Sequence, residues 1–180
     1  VEEARLSDKD IFTDREIEER RKHGVCGIPN GETRGSAEAV EMKFIVEGKP
    51  QGKARARTFY NRQRGKMQSM TPQNTVDYEN LVRWSYKAAG GTYYDKTPLN
   101  VSVRAIYDIP VSFSKAMRKS AAEGKIKPCK KPDSDNIAKA ILDALNGVAY
   151  YDDSQVVGLT VKKEYGDSAR VEVEIECLTE

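Results

Sequence analysis

The stretch from Lys131 to Val157, KPDSDNIAKAILDALNGVAYYDDSQVV, constrains the fold of this chain more than any other segment. Its apolar residues recur at helical spacing, which predicts a helix over Asn136–Leu145 that ends before Gly147. Three apolar residues share one face of this helix and three charged residues share the opposite face: Ile137, Ile141 and Leu145 against Asp135, Lys139 and Asp143. A helix with one apolar face needs a second layer to cover that face, so the stretch predicts a helix packed on a sheet.

Four aspartates lie at the two ends of this helix. Asp133 and Asp135 stand at its start, where the backbone N–H groups stabilise negative charge, and Asp152 and Asp153 stand just before the next predicted strand. If the helix packs on that strand, the second pair returns to the helix start, and we expect the carboxylates to converge. Clustered carboxylates repel one another unless a cation neutralises them, which favours a Mg²⁺ site. Each aspartate taken singly also has an ordinary use as a cap, a turn residue or an i,i+4 partner of Lys139.

The remaining periodicity predicts an α+β fold with one mixed β-sheet packed with helices. Strands are predicted over Lys43–Glu47, Leu99–Ile109, Val157–Val161 and Val171–Cys177, and helices over Pro72–Ala89 and Ser114–Glu123. The last two strands flank a Gly166-Asp167 turn and therefore predict a closing hairpin. Four residues of the helix over 72–89 are expected to face the core: Val76, Leu81, Trp84 and Ala88.

The length of 180 residues suits one well-packed domain with an appendage. Residues 1–41 combine a polar, helix-forming segment with a linker rich in Gly, Pro, Asn and Ser, so we expect an N-terminal helical and flexible extension. The compact domain is expected over residues 42–180. The extension carries seven basic and eleven acidic side chains (7 − 11 = −4), whereas the rest of the chain carries 23 and 17 (23 − 17 = +6).

The basic charge of the predicted domain is concentrated in two blocks. From Lys43 to Met67 there are eight Lys and Arg against one acid, and from Ser114 to Lys131 there are seven against one. Blocks of one sign repel themselves unless a polyanion meets them, which favours nucleic acid as a partner. Three residues alternate by two and would share one side of an extended segment along a phosphate backbone, and two more continue the first block: Lys53, Arg55 and Arg57, then Arg62 and Arg64.

Several kinds of protein are disfavoured by composition. Three widely spaced cysteines, Cys26, Cys129 and Cys177, argue against a disulfide framework or a structural zinc site. No apolar run approaches the roughly 20 residues that span a bilayer, and no charged-then-apolar leader opens the sequence. We therefore expect a cytoplasmic protein.

The motifs of the helical stretch resemble those of a known family. PDSDN, Lys139 four residues after Asp135, LDALNG and DDSQV are similar to the signature of the RusA endodeoxyribonucleases, the Holliday junction resolvases of bacteria and their phages. KFIVEGKPQGKARAR and TPQNTVDYE resemble the amino-terminal strand, basic loop and first helix of that family. Residues 1–41 have no counterpart in the pattern.

The resemblance implies a homodimer that binds four-way DNA junctions in a bacterial or phage-infected cell. It implies Mg²⁺-dependent cutting of two strands, one per subunit, in recombination and repair, leaving 5′-phosphate ends. By position, it assigns Asp133, Asp135 and Asp153 as metal ligands, with Asp152 as the alternative to Asp153, and Lys139 as the catalytic lysine. Two other classes remain open: a module that binds nucleic acid without cutting it, and a Mg²⁺-dependent hydrolase of a small phosphorylated substrate.

Overall fold

The structure, a computed structural model, describes residues 41–63 and 65–178. Residues 1–40 of the predicted extension therefore lie outside the described residues, whereas Glu41, its last residue, already belongs to the first strand. The division into an extension and a domain stays a prediction. The elements of the described part, in chain order, are β1 (Glu41–Glu47), β2 (Arg57–Asn61), β3 (Lys66–Met70), α1 (Gln73–Ala88), β4 (Leu99–Asp108), α2 (Lys115–Ala122), α3 (Ser134–Leu145), a 3₁₀ turn (Asp153–Gln155), β5 (Val156–Gly166) and β6 (Arg170–Cys177).

Four of the strands form one mixed sheet in the order β1-β6-β4-β5. β5 runs parallel to β4, and the other pairings, β1 with β6 and β6 with β4, are antiparallel. β2 and β3 pair only with each other, as a separate hairpin. The predicted α+β class with a mixed sheet is confirmed.

The core lies between the sheet and the helices α1 and α3. Alternate residues of β4 and β6 are fully buried on the helix side, as the period of two predicts: Leu99, Val101, Val103, Ala105, Val171, Val173 and Ile175. The opposite face of the sheet is polar, and Arg104 there pairs with Glu164 and Glu172 at 3.0 and 2.6 Å. One face is fully packed and the other is mostly polar, with Ile106 buried near the end of β4, as is common for largely antiparallel sheets.

α3 matches its prediction closely. It begins at Ser134, two residues earlier than predicted, and ends at Leu145. Ile137, Ile141 and Leu145 are fully buried, as expected. α2 likewise occupies the predicted segment, with the Ser114 hydroxyl accepting a hydrogen bond from the backbone N–H of Met117.

The predicted core face of α1 is wrong. Its buried apolar residues are Tyr78, Val82 and Tyr86, spaced by four, whereas Leu81 and Trp84 are exposed by 38% and 55%. Tyrosine buries an apolar ring, and Tyr86 packs edge-on against Phe44 of β1 with ring centroids 5.3 Å apart. The tyrosines, and not the more apolar Leu81 and Trp84, therefore form the core stripe of this helix.

The predicted closing hairpin is also wrong, because β4 lies between β5 and β6. The connection over residues 167–169 crosses the end of β4, where the Asp108 carboxylate accepts a hydrogen bond from the N–H of Ala169 at 2.8 Å. Alternation in a strand reports which face is buried and does not report the neighbouring strand. No helix within the described residues is long and apolar enough to span a membrane.

Candidate active site at the ends of helix α3

The first part of the site is the N-terminus of α3. Asp133 occupies the N-cap position, and its carbonyl accepts the first helical hydrogen bond from Ile137 at 3.0 Å, but its carboxylate makes no capping bond. Asp133 and Asp135 are both exposed. Neither carboxylate has an ion pair or a hydrogen bond within the described part of the chain. Both negative charges are therefore available to a ligand.

The backbone before α3 is held by contacts from other elements. The Lys163 ammonium of β5 donates to the carbonyl oxygens of Lys130 and Pro132, the second at 3.0 Å. On the other side, the N–H of Lys53 donates to the carbonyl of Asn136 at 2.9 Å. A Cβ at Gly52 would stand 2.8 Å from the Cβ of Pro132, so only glycine lets this loop approach so closely. These contacts fix the backbone from which Asp133 and Asp135 project.

Lys139 lies one turn after Asp135 on the exposed face of α3. The i,i+4 ion pairs weighed from sequence, with Asp135 or Asp143, are not formed by the described residues. The Asp143 carboxylate instead accepts from the Lys53 ammonium at 3.0 Å. The Lys139 ammonium therefore carries a positive charge with no partner among the described residues, one helical turn after Asp135.

Lys53 has a different environment from the one expected of a phosphate contact. Its ammonium binds Glu79 of α1 as well as Asp143, and its side chain is only 25% exposed. Partial burial alone would lower the pKa of Lys53, but the hydrogen bonds to Glu79 and Asp143 outweigh burial and raise it. Arg83 adds a second cation 3.9 Å from Glu79 and donates to the carbonyl of Ala144 at 3.0 Å. Lys53 thus joins the basic loop, α1 and α3.

The aspartate pair before β5 divides into one bonded and one free carboxylate. Asp152 accepts a hydrogen bond from the N–H of Ser154 at 3.0 Å. The side chain of Ser154 chiefly, and then its backbone N–H, lower the pKa of Asp152. The Gln155 side chain completes a capping box, accepting from the N–H of Asp152 at 3.3 Å. Asp153 is exposed, and the structure gives its carboxylate no partner among the described residues. Of the two carboxylates, only that of Asp153 is without a competing partner among the described residues.

The expected convergence of Asp153 with Asp133 and Asp135 does not occur within one chain. α3 packs on β5 and starts beside Lys163 of that strand. The first residue of β5, Val156, lies seven residues before Lys163. The two residues are therefore about 23 Å apart along the strand, at 3.3 Å per residue. The helix therefore runs antiparallel to β5, and its C-terminal end lies beside the start of that strand. The prediction failed because α3 connects two parallel strands, so it carries the chain from the C-terminal end of β4 back to the level of the N-terminal end of β5. The residues just before the helix and those just before β5 therefore lie at opposite ends of the strands.

Tyr150 marks the far end of the site. Its buried hydroxyl donates to the carbonyl of Leu142 at 3.0 Å. Burial chiefly raises the pKa of Tyr150, and the nearby carboxylates of Asp153 and Asp143 raise it further. Asp153 thus lies near the third turn of α3, whereas Asp133 is ten residues from Asp143, about 15 Å along the helix axis.

The donor groups fit a hard divalent cation, but one chain does not assemble them. Within residues 41–63 and 65–178, no three His, Cys, Asp or Glu side chains lie close enough together to bind one metal ion. Asp133 and Asp135 are oxygen donors without competing partners, which is the ligand type that Mg²⁺ prefers. Among the described residues, no third carboxylate lies close enough to Asp133 and Asp135 to bind the same ion.

The predicted DNA-contacting residues lie on the loop and hairpin that precede α1. Arg55 and Arg62 are exposed, and no ion pair within the described chain engages either. Arg57 begins β2, and Arg64 lies outside the described residues. Lys53 is engaged by Glu79 and Asp143. Of the five predicted DNA-contacting residues, Arg55 and Arg62 are therefore the two whose side chains the structure describes as exposed.

Sequence reasoning missed Glu79, Lys163 and Tyr150. Lys53 and Glu79 are 26 residues apart, and Lys163 is 31 residues from Pro132. Such pairs leave no local pattern in the sequence. The sequence offered one local signal, the GKAR segment, in which Lys53 directly follows Gly52. A glycine can mark a close approach of the backbone to another element, and the structure places Gly52 against Pro132 and Asn136.

Comparison with known families is consistent with this geometry. A family model described as endodeoxyribonuclease RusA matches residues 47–176. The chain belongs to the RusA family. The match includes α3, both aspartate pairs, Lys139 and the basic hairpin. Membership places this RusA-family chain among endodeoxyribonucleases.

A curated relative covers nearly the same region. It is a protein of Bacillus subtilis (strain 168) described as "Uncharacterized protein YqaN", 35% identical over 136 residues, which are 74% of this chain and 94% of the relative. The aligned region is therefore close to the whole length of that protein.

Proposed function

We propose that this RusA-family chain is a Mg²⁺-dependent endonuclease that resolves Holliday junctions by paired phosphodiester hydrolysis in a homodimer. Its setting would be DNA recombination and repair in the cytoplasm of a bacterial or phage-infected cell. The observation that carries the proposal is the N-terminal half of α3, where the carboxylates of Asp133 and Asp135 and, one turn further on, the ammonium of Lys139 have no partner among the described residues. Phosphate binding alone gains nothing from free carboxylates, whereas phosphodiester hydrolysis uses them to hold a metal.

In the proposed reaction, water attacks the phosphorus, the bond from phosphorus to the 3′-oxygen breaks, and a 5′-phosphate end remains. Asp133, Asp135 and Asp153 would hold Mg²⁺, which supplies Lewis-acid polarisation of the phosphoryl group. Lys139 would donate hydrogen bonds to the phosphoryl oxygens as negative charge builds on them in the transition state. Lys163 and the Lys53 loop would keep the backbone of Asp133 in place by the hydrogen bonds described above.

The separation of the acids supports the homodimer. Asp153 lies near the third turn of α3, about 15 Å along the helix from Asp133, so the carboxylates of one chain do not complete a metal site. A two-fold dimer that brings the start of one α3 to the end of the other would place Asp153 of each chain beside the Asp133 and Asp135 of its partner. Two equivalent sites then form, one for each strand to be cut.

The first test measures cleavage of a labelled four-way junction with Mg²⁺ and with EDTA. Asp133→Asn and Asp153→Asn should each abolish cleavage and preserve junction binding in Ca²⁺, because each loses a metal ligand and a charge that repels phosphate. Asp152→Asn is the matched control, since Asp152 caps the 3₁₀ turn, and it should cleave within about threefold of wild type, under about 0.7 kcal/mol in barrier. If Asp153→Asn cleaves and Asp152→Asn does not, the ligand assignment is reversed.

A mixing experiment tests the shared site. Asp133→Asn and Asp153→Asn chains, each inactive alone, are mixed under conditions that exchange subunits. If sites are shared, each mixed dimer carries one site with both changes and one intact site, and nicking of single strands should return. Persistent inactivity in mixed dimers, shown to form by tagged co-purification, would mean that each chain builds its own site.

A further inference from the structure

We propose that the β2–β3 hairpin is a DNA-binding arm whose Tyr60–Met67 face packs against unpaired bases at the branch point of the substrate. The inference rests on the proposed function, since it specifies how the substrate is recognised. It concerns a part of the molecule that lies outside the aspartate and lysine set.

The hairpin exposes large apolar side chains that no other element of the described part of the chain covers. Phe59, Tyr60, Met67 and Met70 are exposed by 43%, 58%, 63% and 59%. Neither strand joins the four-stranded sheet, and within the described residues no other strand or helix packs extensively on the pair. A lone two-stranded hairpin is only marginally stable in water, so a surface of this kind is typical of a segment that gains its contacts from a partner.

The strand register places Tyr60 and Met67 together. They are direct cross-strand partners in an antiparallel pair, so their side chains lie on the same face of the hairpin. The next pair on that face, Thr58 with Ser69, is small and polar. Phe59 points to the other face. The aromatic ring and the flexible thioether thus form one compact apolar platform with a polar continuation.

The charge around the platform selects nucleic acid as the partner. Between Glu47 and Asp77 the sequence has seven Lys and Arg and no Asp or Glu. Arg62 and Lys66, which flank the turn of the hairpin, are exposed and have no ion pair within the part of the chain that the structure describes. Cations beside an exposed aromatic side chain are the combination that holds single-stranded nucleic acid, the cations on phosphates and the ring on bases.

The arm begins close to the candidate active site. Its first residue, Arg57, is four residues after Lys53, whose backbone N–H binds the carbonyl of Asn136, next to Asp135. Four residues span at most about 14 Å, so DNA whose backbone reaches Asp135 lies within reach of the hairpin. In a paired duplex the base faces are covered by their neighbours, and the stacking surface is accessible where pairing is interrupted. An arm of this kind therefore favours branched over linear DNA.

The test compares the affinities of full-length variants for two probes in Ca²⁺ by fluorescence anisotropy: a four-way junction with one unpaired thymine at each crossover, and a linear duplex of the same composition. Tyr60→Ala should weaken binding to the junction by about 5- to 100-fold and leave duplex binding within about twofold. Tyr60→Phe, which keeps the ring, should retain wild-type affinity. Thr58→Ala, on the same face without a ring, is the matched control and should also bind normally.

Arg62→Ala tests a phosphate contact, in contrast to the base contact tested by Tyr60→Ala. It should weaken binding to both probes and reduce the slope of log affinity against log salt by about 0.9, whereas Tyr60→Ala should leave that slope unchanged. Thermal unfolding of each variant shows that the fold is retained.

Three results would overturn the inference. If Tyr60→Ala lost the same affinity for the junction and for the duplex, the hairpin would contact paired DNA. If the junction affinity of Tyr60→Ala were unchanged, the platform would contact no base. A shift of the dimer towards monomer in sedimentation of Tyr60→Ala would mean that the hairpin covers a second subunit. Failure of the proposed function has a different signature, namely wild-type protein that shows the selective Tyr60 effect and cuts no junction in Mg²⁺.

Discussion

Lys139 is a residue whose proposed catalytic role is separate from the stability of the fold. Its ammonium is exposed and, among the described residues, has no carboxylate partner, whereas Lys53 and Lys163 are held by named acceptors. Lys139→Ala should lower the single-turnover rate of junction cleavage by a factor on the order of 10² or more, because the charge it meets develops only in the transition state. The free energy of unfolding in urea should change by less than about 0.5 kcal/mol.

The matched control for Lys139 is Lys119, an exposed lysine of α2 whose contact is an i,i+4 pair with Glu123 at 3.9 Å. Lys119→Ala should leave the cleavage rate of bound junction unchanged. A Lys139→Ala enzyme that cuts within threefold of wild type would assign this lysine to the solvated helix surface.

At the scale of elements, the loop over residues 51–56 connects the hairpin to two helices. Lys53 is its anchor, and Lys53→Met should lower the free energy of unfolding by about 2 kcal/mol, because Glu79, with 11% of its side chain exposed, loses its closest cation. The salt slope of junction binding should stay as in wild type. Urea unfolding and salt-dependent anisotropy measure the two quantities.

Arg55→Ala, two residues along the same loop, should give the opposite result. Its exposed guanidinium is free to meet phosphate, so the salt slope should fall by about 0.9 and the stability should not change. If Lys53→Met lowered the salt slope and kept its stability, Lys53 would contact phosphate as the sequence first indicated.

At the scale of the whole molecule, the four-stranded sheet of the described residues starts at β1, where Glu41 already pairs with Glu176 of β6. Deleting residues 1–40 should therefore preserve stability, dimerisation and cleavage. The deleted segment carries seven basic and ten acidic side chains (7 − 10 = −3), so junction affinity should stay equal or rise slightly at low salt. Sedimentation, unfolding and anisotropy of the shortened chain check this. Loss of dimerisation or cleavage would show that the extension belongs to the working enzyme.

The sequence by itself determined the local features of this protein. The limits and buried face of α3 follow from the spacing of Ile137, Ile141 and Leu145, and the buried side of β4 follows from its alternation. Both are properties of the backbone repeat, 3.6 residues per helical turn and two per strand, and need no knowledge of distant residues. The candidate acids and Lys139 were also visible, because they share one short stretch.

Only the tertiary structure decided which segments meet. It placed β4 between β5 and β6, separated Asp153 from Asp133, and bound Lys53 to Glu79 and Asp143. None of these contacts is local in sequence, so each depends on the order of strands and the direction of helices, which alternation and amphipathicity leave open. The physical reason is that periodicity fixes which face of an element is buried, whereas the partner on that face is chosen by the packing of the whole domain.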